Sequence, residues 1–245
     1  MIVASKSSDS PISAGISSGS PYSSSGFWDR LWRTSGVHSV LFFLIASVIY
    51  GFQPGAGAPA GELAAFYGGH HARILIAAVI YDLAALNLMW FAAALRTTLA
   101  DSGKDGWGGA ATSSGAALGG LVFVLVMGSA ALTNSTPSTG SETLMASLHN
   151  LIWSGVVVTS FPRAMMIMAG TFGLWRAALI SNKAFALGLA AVVLVLLGGT
   201  TWMSGGWWAP DGLYSRFISP AISILWVLAA SRILLIQKGG SRAQW

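Results

Sequence analysis

The chain of 245 residues contains no cysteine. Disulfides, thiolate catalysis and cysteine-ligated metal or iron–sulfur centres are therefore outside its chemistry. Charge is nearly as scarce. There are 13 Lys or Arg and 8 Asp or Glu, 9% of the residues, where an ordinary soluble domain carries about 25%. So few charges cannot coat a soluble surface of this size, which argues against a soluble enzyme. The basic residues are scattered singly, so the net charge of +5 and pI near 9.9 do not mark a nucleic-acid partner. What the chain has in abundance is apolar: 54% hydrophobic residues and a mean hydropathy of +0.66. These values indicate a polytopic membrane protein, with the lipid bilayer as its partner and the cell membrane as its location.

Residues 1–26 are rich in serine and lack an apolar run, so they read as a disordered cytoplasmic tail. Only Lys6 is basic there and no apolar stretch follows it, so no cleaved signal is expected. The apolar chain, residues 27–238, reads as an all-α bundle of six transmembrane helices, followed by a short cytoplasmic tail, 239–245. The predicted spans are roughly Ser35–Phe52, Arg73–Leu95, Gly115–Leu132, a segment within Asn150–Arg176, Ala184–Met203 and Phe217–Ile236. Thr34 or Ser35 is expected to cap the first. Gly55–Gly69 and Asn134–Ser141 read as loops.

Charge placement orients this layout. With the N-terminus inside, Lys6, Arg30, Arg33, Arg96, Lys104, Arg176, Lys183, Arg232, Lys238 and Arg242 fall on the cytoplasmic side. Only Arg73 and Arg216 fall outside, with Arg163 set aside, and an excess of Lys and Arg marks the inner face. The glycines Gly115, Gly119, Gly170 and Gly198 read as close helix contacts within the bundle, with a homo-oligomer face as the alternative.

Two charges fall inside spans: Asp82 and Arg163. A lone charge in hydrocarbon is costly, so the two are expected to face the interior and pair. The expectation depends on the fourth span starting near Asn150. A start at Glu142 would carry Arg163 away from Asp82. His149, Thr159 and Arg163 share one side of that span, and Pro162 is expected to kink it. Asn87 points away from Asp82 and is expected to bond another helix. Asp82, Arg163 and His149 are the candidate catalytic residues.

An outer polar cluster holds Glu62, His70, His71, Arg73, Glu142, His149, Asp211 and Arg216. No HxxxH or HxH spacing occurs, so no metal site is expected, and no sequence motif calls for a cofactor. His38 reads as a headgroup or cap residue, and Ser204–Gly212 as an aromatic outer loop. Asn134-Ser135-Thr136 matches a glycosylation sequon, but modification is not expected beside the membrane. Walker, HExxH and DDxxD motifs are absent.

The stretch Phe66-Tyr67-Gly68-Gly69-His70-His71-Ala72-Arg73-Ile74-Leu75, with Trp90-Phe91 and Ala94-Leu95-Arg96, resembles uncharacterised bacterial six-span membrane proteins, filed as domains of unknown function. The resemblance covers about residues 30–236. It implies the six-span layout and carries no functional residue with it.

Three functions remain open on sequence. The first is a non-catalytic membrane component that binds or assembles with others. The second is an enzyme acting on a lipophilic small molecule, isoprenoid- or steroid-like, by acid/base isomerisation or cyclisation. The third is a proton-coupled small-solute transporter.

Overall fold

The computed structural model describes residues 25–135 and 142–236, with side chains from Leu31 onward. The predicted tails fall almost wholly outside the described residues, although Ser25 and Gly26 already belong to the first helix. All regular structure among the described residues is helical. The order is α1 (Ser25–Tyr50), α2 (Ala60–Gly69), α3 (His71–Asp101), α4 (Asp105–Ser135), α5 (Glu142–Val158), α6 (Ser160–Arg176), α7 (Asn182–Gly198) and α8 (Ser219–Ile236). A 3₁₀ turn at Gly206–Trp208 and a π turn at Tyr214–Ile218 precede α8. Helices satisfy their own backbone groups, which is what a span in hydrocarbon requires.

Five segments are long and apolar enough to cross a membrane: Leu31–Tyr50, His71–Asp101, Asp105–Ser135, Glu142–Arg176 and Tyr214–Ile236. The apolar helix α7 is shorter, with 17 residues. At 1.5 Å per residue it measures about 26 Å, against a hydrocarbon core of about 30 Å.

The pairs α3–α4 and α1–α8 run antiparallel, and side chains fasten their ends. His71 Nε2 meets Asn134 Oδ1 at 3.0 Å, joining the start of α3 to the end of α4. Arg96 pairs with Asp105 at 3.1 Å across the opposite turn. Arg33 donates to the Leu234 carbonyl, 3.0 Å, tying the start of α1 to the end of α8. The main core gathers Phe91, Leu95 and Leu99 from α3 with Met166, Leu174, Val227 and Leu234. A second core, Leu63, Phe66, Tyr67, Ile74, Leu132 and Ile152, fills the end that carries α2. The outward row Ile76, Val79, Leu83, Leu86 and Trp90 on α3 is exposed and apolar, a face suited to lipid.

Glycines set the α3–α4 spacing, as contacts within the bundle. A Cβ on Gly115 would stand 2.7 Å from Ala92 Cβ, and one on Gly119 would stand 2.8 Å from Met89 Cε. Gly51 ends α1 at φ +74°, a conformation that favours glycine, and Arg73 is packed against it.

Several sequence expectations are corrected. Thr34 and Ser35 do not cap α1; their hydroxyls donate back to the Leu31 and Trp32 carbonyls inside a helix that begins a turn or more earlier. Gly55–Gly69 is not all loop, because α2 forms within it. Leu63, Phe66 and Tyr67 recur at helical spacing and are buried, which outweighs the run of small residues around them. The fourth span begins at Glu142, not near Asn150, and runs on through a one-residue irregularity at Thr159, which keeps helical φ and ψ and helical bonds to Gly155 and from Arg163. Pro162 has no N–H to offer the Val158 carbonyl four residues back, which accounts for the irregularity. The sequon asparagine lies in the last turn of α4, while Thr136 and the rest of that loop up to Ser141 are outside the described residues.

Candidate functional site

Among the described residues, two enclosed polar groupings and one isolated carboxylate stand out. The first grouping lies where α1 hands over to α2. Three successive carbonyls, of Gln53, Pro54 and Gly55, are held by side chains from α5 and the π turn. Arg216 Nη2 donates to the Gln53 carbonyl at 3.1 Å. Trp153 Nε1 donates to the Pro54 carbonyl at 3.0 Å. His149 Nε2 lies 3.1 Å from both the Pro54 and the Gly55 carbonyls. Carbonyl oxygens only accept, so Nε2 carries the proton and Nδ1 is an acceptor. The Tyr67 hydroxyl, 2.9 Å away, then donates to Nδ1. Burial raises the Tyr67 pKa well above its ordinary value of 10.0, with Tyr50 adding to the shift, so the phenol keeps its proton and remains a donor.

Sequence placement explains this clamp. His149 and Trp153 stand four apart and therefore share a face of α5. Tyr67 is on the buried side of α2. Arg216 also lies over the Trp153 ring, 4.8 Å from its centre. A cleft of about 480 Å³ opens beside the clamp, lined in part by Phe52, Glu62, Phe66 and His70. The other histidines are dispersed: His70 stacks on Phe66, and His71 bonds Asn134. Among the described residues no group of three or more His, Asp or Glu stands close enough to hold a metal ion.

The second grouping surrounds Arg163. Its Nε donates to the Thr159 carbonyl, 3.2 Å, and its Nη2 to Ser160 Oγ, 3.0 Å. Both partners lie on the preceding turn, the direction in which a helical side chain points. Ser160 Oγ in turn packs on Gly198 of α7, beside Ser219 Oγ of α8.

Asp82 stands alone. Its Oδ1 is enclosed without a hydrogen-bond partner. It shares a face of α3 with Met89, which meets Gly119, so it lines the α3–α4 seam. The expected Asp82–Arg163 pair does not form; among the described residues the ion pair is Arg96–Asp105. Register is the reason. Leu95 lies at Gly170, and α3 and α6 run in the same direction, so the residue level with Arg163 is Leu88. Asp82 is six residues earlier, about 9 Å along the axis. His149 is 14 residues before Arg163, about 21 Å along an unbroken helix. The three candidate catalytic residues therefore occupy three separate places. Asn87, expected to bond another helix, instead donates to the Leu83 carbonyl of its own.

The sequence reading missed Tyr67, Trp153, Ser160 and Ser219. The His149–Trp153 and Ser160–Arg163 spacings were visible signals. The part played by the Gln53–Gly55 carbonyls was not, because backbone groups carry no sequence signature. No protein-family model matches the chain, and neither a curated protein nor a solved structure is significantly similar to it.

Proposed function

We propose that this chain is an integral membrane protein that crosses the bilayer six times, with α7 as a short fifth crossing and both termini cytoplasmic. We further propose that it serves as a non-catalytic component that binds or assembles with other membrane constituents. Charge placement supports the orientation. Arg33, Arg96, Lys104, Arg176, Lys183 and Arg232 belong to one end of the bundle, and Arg73 and Arg216 to the other.

The observation that carries the non-catalytic reading is the state of His149. A general acid or base must present a ring nitrogen to substrate. Here one nitrogen is engaged by Tyr67 and the other by two backbone carbonyls, with the ring fully buried. Arg163 likewise bonds its own helix, and Asp82 has neither residue within reach. His149 and Arg163 are thus engaged by the fold around them, and Asp82 stands apart from both.

Native mass spectrometry of the protein in lipid nanodiscs drawn from its own membrane tests this reading. A membrane component of this kind is expected above the 25.4 kDa of the lone chain, carrying a second copy or another membrane constituent at fixed stoichiometry. A bare monomer under all conditions overturns it.

A further inference from the structure

Asp82 is an acidic side chain that the fold leaves without a partner inside a span. It makes no hydrogen bond and no ion pair among the described residues. Only its Oδ1 is enclosed, so Oδ2 opens to the outer surface of the bundle. That surface is apolar. Val79 stands three residues before Asp82 and Leu86 four after, so both adjoin it on α3, and both are exposed. Arg73 lies nine residues before Asp82 and Arg96 fourteen after. Along the axis these are about 14 and 21 Å, which puts Asp82 well away from the headgroups on either side. A carboxylate at that depth is costly unless it is paired.

The α3–α4 seam supplies the shape. Met89 meets Gly119 and the two helices are antiparallel, so Val126 of α4 stands level with Asp82. Met127, beside it in sequence, is exposed. Gly115 and Gly119 bring the two helices close, and a close pair leaves a shallow outer groove for a third helix. Apolar side chains alone give little preference for a helix over lipid tails, whereas a charge pair gives one.

A second copy of this chain does not supply the missing cation. Apart from Arg163, every Lys and Arg with a described side chain belongs to one end or the other of the bundle. Arg163 is 8% exposed and bonds its own helix. A basic residue level with Asp82 has to come from a different protein.

We propose that the α3–α4 seam at Asp82 is the docking surface for a transmembrane helix of another protein, one that carries a Lys or Arg near the bilayer centre. This rests on the assembly reading and adds to it the surface and the chemistry of the partner.

The test uses the full chain reconstituted alone in phosphatidylcholine liposomes, with a donor dye on Ser102→Cys. The probes are acceptor-labelled Leu–Ala transmembrane peptides, one with a single Lys at its centre and one with Leu there. Energy transfer is followed as peptide is added. The central-Lys peptide is expected to bind saturably and at least ten times more tightly than the Leu peptide. Asp82→Leu should remove that preference, and the isosteric Asp82→Asn should weaken it several-fold. Asn87→Leu, which lies on the same helix but faces away from Asp82, should keep it. Equal binding of the two peptides, or a preference that survives both Asp82 substitutions, overturns the proposal. Such a failure is distinct from failure of the assembly reading, because the native mass spectrum counts whatever is bound at any surface of the chain.

Discussion

At the scale of single residues, polar groups in this bundle divide into those the fold satisfies and those it leaves open. His149 is the clearest of the first kind. Replacing it with Phe takes the acceptor from the buried Tyr67 hydroxyl and weakens the hold on the Pro54 and Gly55 carbonyls, which keep Trp153 Nε1 and the Ala58 N–H as donors. The expected cost is about 2 kcal/mol, from about 1–3 kcal/mol for a stranded buried group. Tyr67→Phe removes one hydrogen bond and should cost about 1 kcal/mol. Thermal unfolding of the two variants in nanodiscs checks the order, which reverses if the clamp does not hold the loop. Asp82 is of the second kind. Its carboxyl makes no compensating bond at Oδ1, so Asp82→Leu should leave the unfolding midpoint unchanged or raise it. A midpoint several degrees lower would mean that Asp82 is held by a group outside the chain. Asp82 and Arg163 were visible in the sequence as the two charges within spans. That they do not meet was not visible, because their relative level depends on where α5 starts, and Glu142 is a better helix opener than composition alone conveyed.

At the scale of elements, the bundle depends on close approach between α3 and α4. A Cβ on Gly108 would stand 2.9 Å from the Cα of Arg96. Backbone cannot rotate away as a side chain can, so Gly108→Val must push the helices apart, at about 1–3 kcal/mol. Gly109 has open space around its Cβ position. Gly109→Ala should be neutral or slightly stabilising, as alanine is the better helix former. Thermal midpoints of the two variants, compared side by side, check the contrast; equal losses would mean that helix propensity, not packing, governs the site. The spans themselves were legible because long apolar runs with few charges have few alternatives to a helix in lipid. Their ends were less so. The helices α3 and α4 each reach 31 residues, beyond the apolar runs that marked them, because polar residues near the ends still satisfy helical hydrogen bonds. The helix α2 escaped notice because its apolar signal, Leu63, Phe66 and Tyr67, is one short stripe among glycines and alanines.

At the scale of the whole molecule, the scarcity of charge and the placement of what charge there is lead to the central claim of six crossings with both termini cytoplasmic. The helix α7 is its sharpest point, since 17 residues fall somewhat short of the hydrocarbon thickness. Trp202, Met203 and Trp207 are exposed just beyond its end, where aromatic and apolar side chains can anchor a short crossing at the interface. The absence of cysteine makes the decisive measurement clean, because each introduced thiol is the only one in the chain. Ala56→Cys, Ser102→Cys, Ser181→Cys and Ser204→Cys each place it at an exposed position between helices or at a helix end. A membrane-impermeant maleimide added to intact cells should label Ala56→Cys and Ser204→Cys, and should reach Ser102→Cys and Ser181→Cys only after permeabilisation. Labelling of Ser181→Cys and Ser204→Cys from the same side would show that α7 does not cross, and would contradict the six-crossing account.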